Sequence, residues 1–285
     1  MTRNPTIARR AEELLGAAVA ATSPVAGGDI CTATRVRLAD GRAVFVKSHV
    51  RPPQRFFASE ADSLVWLAQA APDLVPEPLA VDDDCLILPW IETSKPTVEA
   101  AASFGHALAR LHAAAVSGFG RESDGFIGRL PMRNTPAPDW AEFFAEHRVR
   151  PYLKLAHDRG RLSAEQSAAI ESVLPRLGSL VPVEPAAPLH GDLWNGNVLW
   201  SADGVVRLID PAAYGGHRET DLAMLALFGL PHLQRVLDSY HEQYPLADGW
   251  EDRIGLHQLF PLLTHAAMFG GGYGARAATV AARFS

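Results

Sequence analysis

The sequence predicts an α+β chain in two lobes, a small β-rich N-terminal lobe and a larger helical C-terminal lobe. Two observations carry this expectation. Up to about residue 88 short alternating apolar runs surround a single helical stretch, whereas from Phe104 onward long Ala- and Leu-rich segments with helical spacing dominate. A short strand-rich island from about Leu189 to Ile209 interrupts the second half. The expected division is 1–88 for the small lobe, 89–92 for a hinge and 93–285 for the large lobe.

Taken in order, Ile7, Ala11, Leu14, Leu15 and Ala18 fall at spacings of three and four, which predicts an amphipathic first helix. Arg9 and Arg10 before the Ala-rich stretch Leu14 to Ala21 look superficially like a signal peptide, but Glu12 and Glu13 interrupt the charge pattern. Val36 and Leu38 alternate with polar neighbours, Asp40-Gly41 offers a tight turn, and Ala43 to Lys47 returns as a strand. Phe56, Phe57, Glu60, Leu64 and Leu67 fit a helix with one apolar face. Pro76, Pro78 and a turn at Asp82-Asp83-Asp84 then lead into a strand from Cys85 to Leu88. The helical pattern begins again at Phe104 and runs through Ala115.

Composition removes several classes of function. A formal net charge of -6 and a pI near 6.0 lack the basic field that nucleic acid or an anionic membrane requires, so neither partner is expected. No apolar run is long enough for a membrane span. Cys31 and Cys85, far apart and without metal-ligand spacing, point to a reducing compartment, and the cytoplasm is the expected location.

The chemistry concentrates in His190-Gly191-Asp192-Leu193-Trp194-Asn195-Gly196-Asn197, followed by Asp210 at the end of an apolar run. Phosphoryl transfer needs a carboxylate to orient the attacking hydroxyl, and an amide oxygen with a second carboxylate to hold magnesium between the phosphates. Asp192, Asn197 and Asp210 supply these groups. The step from Asp192 to Asn197 is that of a kinase catalytic loop, and a turn at Asp203-Gly204 would return Asp210 to the side of Asn197. Lys47 closes an apolar strand, where alone it reads as a solvated strand-end charge, and Glu60 lies on the next helix; with the catalytic loop present, the fold needs such a pair to hold ATP phosphates. Read as a surface pair, it would contribute little to folding. Gly27 and Gly28 let backbone N–H groups approach a phosphate, although their spacing alone also suits an ordinary turn. After the strand ending at Leu88, Pro89 keeps its carbonyl and Ile91 its N–H for an adenine edge.

The runs HGDLWNGN, DPAAYGGHRETDLAM and LFG together resemble the fructosamine and ketosamine kinases, relatives of the aminoglycoside and choline kinases with a protein-kinase-like fold. Gly27-Gly28, FVK ending at Lys47, EADSL from Glu60, VPEP, GFIG ending at Gly128, Asn134, DWAEFF from Asp139 and HQLFPLLTHAAMFGGGY extend the resemblance over nearly the whole chain. It implies ATP and magnesium as cofactors and a free or protein-bound ketosamine as acceptor. It also implies Lys47 on the phosphates, Glu60 on that lysine, Asp192 as base, and Asn197 with Asp210 on the metal. Pro89, in place of an acidic hinge residue, and Arg133 before Asn134 depart from the pattern.

Trp194 offers a wall for a sugar or a wedge for the loop, and His217 and His265 are candidates to touch a polyhydroxylated acceptor. His190 is expected to brace the loop, Asp221 to cap or anchor the helix Leu222 to Phe228, and Cys31 to be a small buried filler. Two other readings stay open: a sister kinase acting on an aminoglycoside or choline, and a nucleotide-binding pseudokinase. The short distance from Asp210 to DLAM leaves little room for a protein kinase's activation loop.

Overall fold

The computed structural model describes residues 5–26 and 30–285. The first helix, α1 (Pro5–Leu15), stops short of Ala18. Gly16 takes a left-handed backbone with φ 64° and donates to the Glu12 carbonyl at 2.9 Å, and the chain then extends as β1 (Val19–Pro24). Alanine propensity favours helix through this run, but β1 buries Val19, Ala21 and Thr22 by pairing with β2 (Thr32–Leu38). Tertiary pairing overrides local preference here.

The expected hairpin joins β2 to β3 (Ala43–Ser48), and α2 (Phe56–Ala68) follows. With β4 (Ala80–Val81) and β5 (Cys85–Pro89) the strands form an antiparallel sheet in the order β1-β2-β3-β5-β4. Strand alternation explains the position of Lys47. Val44, Val46, Cys85 and Ile87 face α1, whereas Leu86 and Leu88 face the opposite way, into a core with Phe57, Leu64 and Leu67 of α2. Phe45 packs against that second core, and Lys47, two residues on, shares its face.

The larger lobe opens with α3 (Val98–His112), capped by the Thr97 side chain, which accepts from Ala100 N. A hairpin of β6 (Gly125–Ile127) and β7 (Leu130–Met132) precedes α4 (Trp140–Phe143), which runs through a π-helical turn at Phe144–Val149 into α5 (Arg150–Asp158). After α6 (Ala164–Glu171) and α7 (Leu177–Leu180) come four short strands: β8 (Ala187–Leu189), β9 (Val198–Trp200), β10 (Val206–Leu208) and β11 (Tyr214–Gly216). Five helices complete the lobe: α8 (Glu219–Phe228), α9 (Leu233–Gln243), α10 (Trp250–His257), α11 (Leu259–Phe269) and α12 (Tyr273–Ala281). Helices α3 and α9 approach so closely that a Cβ on Gly105 would strike the Val236 carbonyl and Ser239.

The two lobes share a core. Leu64, Leu67 and Leu86 belong to the same apolar cluster as Phe104, Leu193, Leu208 and Leu222, and Leu208 N donates to the Leu74 carbonyl at 2.8 Å. Each fully buried Leu or Phe contributes about 1.5–3 kcal/mol, so this shared layer holds the small lobe over the large one. No helix among the described residues is long and apolar enough to cross a membrane.

Candidate active site

The strand-rich island builds the site. β8 ends at Leu189 and β11 pairs back on it, opposing Tyr214 to Leu189, while β9 and β10 form a second antiparallel pair. Between them lie two loops, one carrying Asp192 and the other Asp210. They are stitched together by Ile209 N donating to the Asn197 carbonyl at 3.1 Å, Ala212 N donating to the His190 carbonyl at 2.9 Å, and His190 Nε2 donating to the Ile209 carbonyl at 2.9 Å. His190 thus braces the loop as expected. Gly191 has φ 80°, and a Cβ there would run into the Ala212 carbonyl, so this crossing requires glycine.

Of the two roles expected for Asp221, the structure shows the anchor and not the cap. Asp221 lies inside the first turn of α8 and accepts from His190 N at 2.7 Å, Gly191 N at 3.0 Å and His112 Nε2 at 3.2 Å. His112 in turn pairs with the Tyr240 hydroxyl at 2.9 Å. One buried carboxylate therefore satisfies two loop N–H groups and ties them to α3 and α9.

A cleft of about 490 Å³ brings together Lys47, Glu60, Asp192, Asn197 and Asp210. Lys47 Nζ lies 2.7 Å from Glu60 Oε2 and 3.0 Å from Asp210 Oδ2. Asn197 Nδ2 donates to the Asp192 carbonyl at 2.8 Å and to Asp192 Oδ2 at 3.2 Å, fixing the orientation of both side chains. Asp210 holds a left-handed backbone with φ 55°, a conformation that costs energy outside glycine and clusters at functional sites.

Charge in this cluster is lopsided. Burial, and then the neighbouring Asp210 carboxylate, push Asp192 up to about 7. Burial also pushes Glu60 up to about 7; the Lys47 ammonium pulls it back and Asp210 pushes it further up. Burial would lower the Lys47 pKa, but Asp210 and Glu60 outweigh it and hold the ammonium charged. The Lys47–Glu60 pair is buried, with side chains only 12% and 10% exposed, which replaces the expectation of a surface pair.

At the other end of the cleft stand Trp194, Phe228, His265, Met268, Phe269 and Tyr273. His265 is ringed by Phe228, Tyr273 and Phe269, with centroids at 4.9, 5.2 and 5.6 Å, and Trp194 meets Phe228 edge-on at 5.9 Å. The close approach of Trp194 to Gly196 leaves no space for a side chain there, so its ring also wedges the loop. Burial lowers the His265 pKa, and its Nδ1 donates to the Pro261 carbonyl at 2.7 Å. These aromatic residues are spread along the sequence, and folding brings α8, α11 and α12 together so that they form one wall.

Of the expected site residues, His217 lies elsewhere, and Pro89 and Ile91 are not part of the cleft lining. His217 is 1% exposed and sits outside the cleft, stacked on His257 with centroids 5.1 Å apart. Pro89 closes β5 opposite Val44, Trp90 N donates to the Ala43 carbonyl, and neither Pro89 nor Ile91 lines the cleft described above. Gly27 and Gly28 lie outside the described residues, although Ile30 and Cys31 just after them do line the cleft. Cys31 is buried, and burial pushes its thiol up to about 11, as suits a filler.

His217, Glu219 and His257 place their donor atoms within 4.8 Å of one another; the Glu219 and His257 atoms are engaged by neighbours, whereas His217 Nε2 has no hydrogen-bond partner and lies 3.7 Å from Glu184 Oε2. Arg253 takes both Glu219 oxygens at 2.6 and 3.0 Å, and Arg218 takes both Glu184 oxygens at 2.7 and 2.8 Å. His217 Nδ1 accepts from Glu219 N, and His257 Nε2 meets the Glu219 carboxylate, so both rings carry their proton on Nε2, where a metal would need a lone pair. The cluster is a buried ion-pair network that anchors the start of α8.

Comparison with known proteins agrees with this geometry. A family model described as fructosamine kinase matches residues 3–284. A probable ketoamine kinase of Enterococcus faecium is 34% identical over 257 residues, covering 89% of this chain and 91% of that protein. The crystal structure of a candidate fructosamine-3-kinase from Thermobifida fusca superposes with a TM-score of 0.93 at 47% identity, covering 98% of both chains. The ternary complex of streptomycin, ATP and APH(2")-IIa shares the kinase-like fold, with a TM-score of 0.66 at 13% identity over 100% of this chain and 99% of the other. The chain belongs to the fructosamine kinase family and is a phosphotransferase.

Proposed function

We propose that the chain transfers the terminal phosphate of ATP to a sugar hydroxyl of ketosamines, free or protein-bound, as a deglycation-type activity. The observation that carries this reading is the meeting of Lys47, Glu60, Asp192, Asn197 and Asp210 in one cleft that ends in an aromatic wall. Lys47, held by Glu60, binds the phosphates, a use supported by the ATP present in the structural relative of the same fold. Gly27 and Gly28 are proposed to cover those phosphates, and the Pro89 carbonyl and Ile91 N–H to meet adenine.

Asn197 and Asp210 offer an amide oxygen and a carboxylate, a hard donor set suited to magnesium. Glu60, Asp192 and Asp210 face a single ammonium, Lys47, so carboxylates outnumber cations here, and Asp210 adds to the upward push that burial gives Asp192 and Glu60; a cation would relieve that excess. Bound there, magnesium would neutralise charge on the transferring phosphate. Asp192 accepts a hydrogen bond from the attacking hydroxyl and takes its proton as the new oxygen–phosphorus bond forms and the bond to the ADP oxygen breaks.

Trp194 is proposed to cover a sugar face, and His265, with Nδ1 committed to Pro261, keeps Nε2 as an acceptor for a hydroxyl. Trp194 is 39% and Phe269 48% exposed, so this end of the wall reaches solvent and leaves room for a substituent on the amine. By the family resemblance, phosphate on the sugar carbon next to the carbonyl would make the adduct prone to loss from the amine. Free, buried Cys31 and Cys85 suit a reducing cytoplasm.

A panel of free and protein-bound ketosamines, with aminoglycosides and choline as controls, tests the reading by ADP release and mass spectrometry. Phosphorylated ketosamine that disappears with chelator and returns with magnesium is the expected result. Product only from an aminoglycoside or choline, or nucleotide binding with no product from any alcohol, would contradict it.

A further inference from the structure

Helix α2 carries Glu60, and although Asp62 and Val65 on its outer face are exposed, Ser63 between them is buried against the large lobe. Arg121, in the loop between α3 and β6, reaches across from the large lobe to the turn of α2 just after Glu60. Its Nη1 donates to Ser63 Oγ at 3.0 Å and its Nη2 to the Asp62 carbonyl at 2.8 Å, and its guanidinium lies 5.1 Å from the centroid of the Trp66 ring. Five residues further on, the Phe126 ring meets Phe56 of α2 at 5.2 Å.

The base of this strut is fixed to the strands that bear the catalytic loop. Gly120 N donates to the Gly215 carbonyl at 2.8 Å, and Gly215 N donates back to the Gly120 carbonyl at 3.0 Å. Gly215 lies in β11, which pairs with β8, and β8 leads directly into Asp192. The contact is backbone against backbone: a Cβ on Gly120 would strike the Asn134 carbonyl, and one on Gly215 the Gly118 carbonyl. Arg121 N donates to the Asn134 carbonyl at 2.7 Å, and Asn134 Oδ1 accepts from the fully buried Arg148 at 2.6 Å. A continuous path of hydrogen bonds thus runs from the strand before Asp192, through Gly120 and Arg121, to the turn of α2 beside Glu60.

We propose that Arg121 is a positioning residue that holds α2 against the catalytic strands, so that Glu60 keeps Lys47 in register with Asp192 and Asp210. The proposal rests on the reading of Lys47 and Glu60 as the phosphate-holding pair. A planar fork suits the task, because it grips a hydroxyl and a carbonyl on consecutive residues while its face packs on an indole. Arg121 touches no cleft group that reacts, so it acts only through α2.

The test is a double-mutant cycle on the full chain with magnesium-ATP and a fructose-derived ketosamine, combining Arg121→Ala with Glu60→Gln. Arg121→Ala should lower kcat about tenfold with the KM for ketosamine unchanged, whereas in the Glu60→Gln background the same change should alter kcat less than about twofold. Arg121→Lys, which can keep one of the two hydrogen bonds, should fall between Ala and wild type, and it carries the cycle if Arg121→Ala does not fold. Hydrogen exchange in the turn containing Glu60 should speed up in the variant while α3 stays protected. Additive loss in both backgrounds, or wild-type kcat with only a lowered melting temperature, would overturn the proposal and leave the Lys47–Glu60 reading intact. A Glu60→Gln variant with wild-type kcat would overturn both.

Discussion

Lys47 Nζ stands 3.0 Å from Asp210 Oδ2, so one ion pair joins a strand of the small lobe to the segment after β10 in the large lobe. The same ammonium holds Glu60, and for Lys47 and Glu60, whose side chains are buried, burial raises the cost of leaving either unpaired.

Lys47→Met should therefore abolish most turnover and also change stability, in a pH-dependent way. Without the ammonium, the Glu60 pKa rises further above its ordinary value, so the variant is least perturbed where Glu60 can stay protonated and loses stability as pH rises through and beyond about 7. Denaturant midpoints of wild type and variant should diverge on the alkaline side, toward the ~3–5 kcal/mol typical of a broken buried pair. Equal midpoints at every pH would show that the pair carries no weight in folding.

The acid limb of catalysis should report Asp192. Burial, and then Asp210, hold its carboxyl up to about 7, so in the free enzyme the base is lost as pH falls through that value. The kcat/KM profile for magnesium-ATP, which starts from the free enzyme, should bend near pH 7 rather than near the ~4 of an ordinary aspartate, and the bend should move to lower pH in the kcat/KM for ketosamine at saturating magnesium-ATP. Stability runs the other way. A folded pKa above the unfolded one adds stability that is complete below the unfolded value of 3.8 and lost as pH rises through about 7. Asp192→Asn should flatten that part of the melting-temperature profile, and an unchanged slope would contradict the assignment.

Asp221→Ala should be the most damaging change away from the reacting groups. It would strand the N–H groups of His190 and Gly191 and the ring of His112, all buried. The cost should be on the order of 3 kcal/mol, read from the shift in denaturant midpoint, with Asp221→Asn milder because it keeps one acceptor oxygen. A shift under ~0.5 kcal/mol for the alanine variant would mean that water replaces the carboxylate.

The parts of the site legible in the sequence are those fixed by local spacing. Asp192 to Asn197 is one loop and the Asp203-Gly204 turn returns Asp210, whereas Lys47 and Glu60 could be paired only because the catalytic loop calls for such a pair. What depends on partners distant along the chain stayed hidden. β1 was not foreseen, because it forms by pairing with β2 and has no local signal of its own. His217 looked like an acceptor contact because its neighbours in sequence do not reveal that it faces His257 and the buried arginine network. Arg121 gave no signal, since Ser63 lies 58 residues away. Asp221 was expected to cap or anchor its helix, but the partners it anchors to precede it by 31 residues for His190 and 30 for Gly191 and are not readable locally.

The central claim is that Asp192 orients and deprotonates an acceptor hydroxyl beside a phosphate site formed by Lys47, Glu60, Asn197 and Asp210. The most direct measurement is single-turnover phosphorylation of a ribose- or fructose-derived ketosamine by wild type and Asp192→Asn, with magnesium-ATP binding measured on the same samples. The variant should bind magnesium-ATP as wild type does, because Asp192 is not assigned to the phosphates, while its rate of product formation falls at least ~100-fold, the lower end of what a positioned general base contributes. Equal rates for the two proteins would contradict the account.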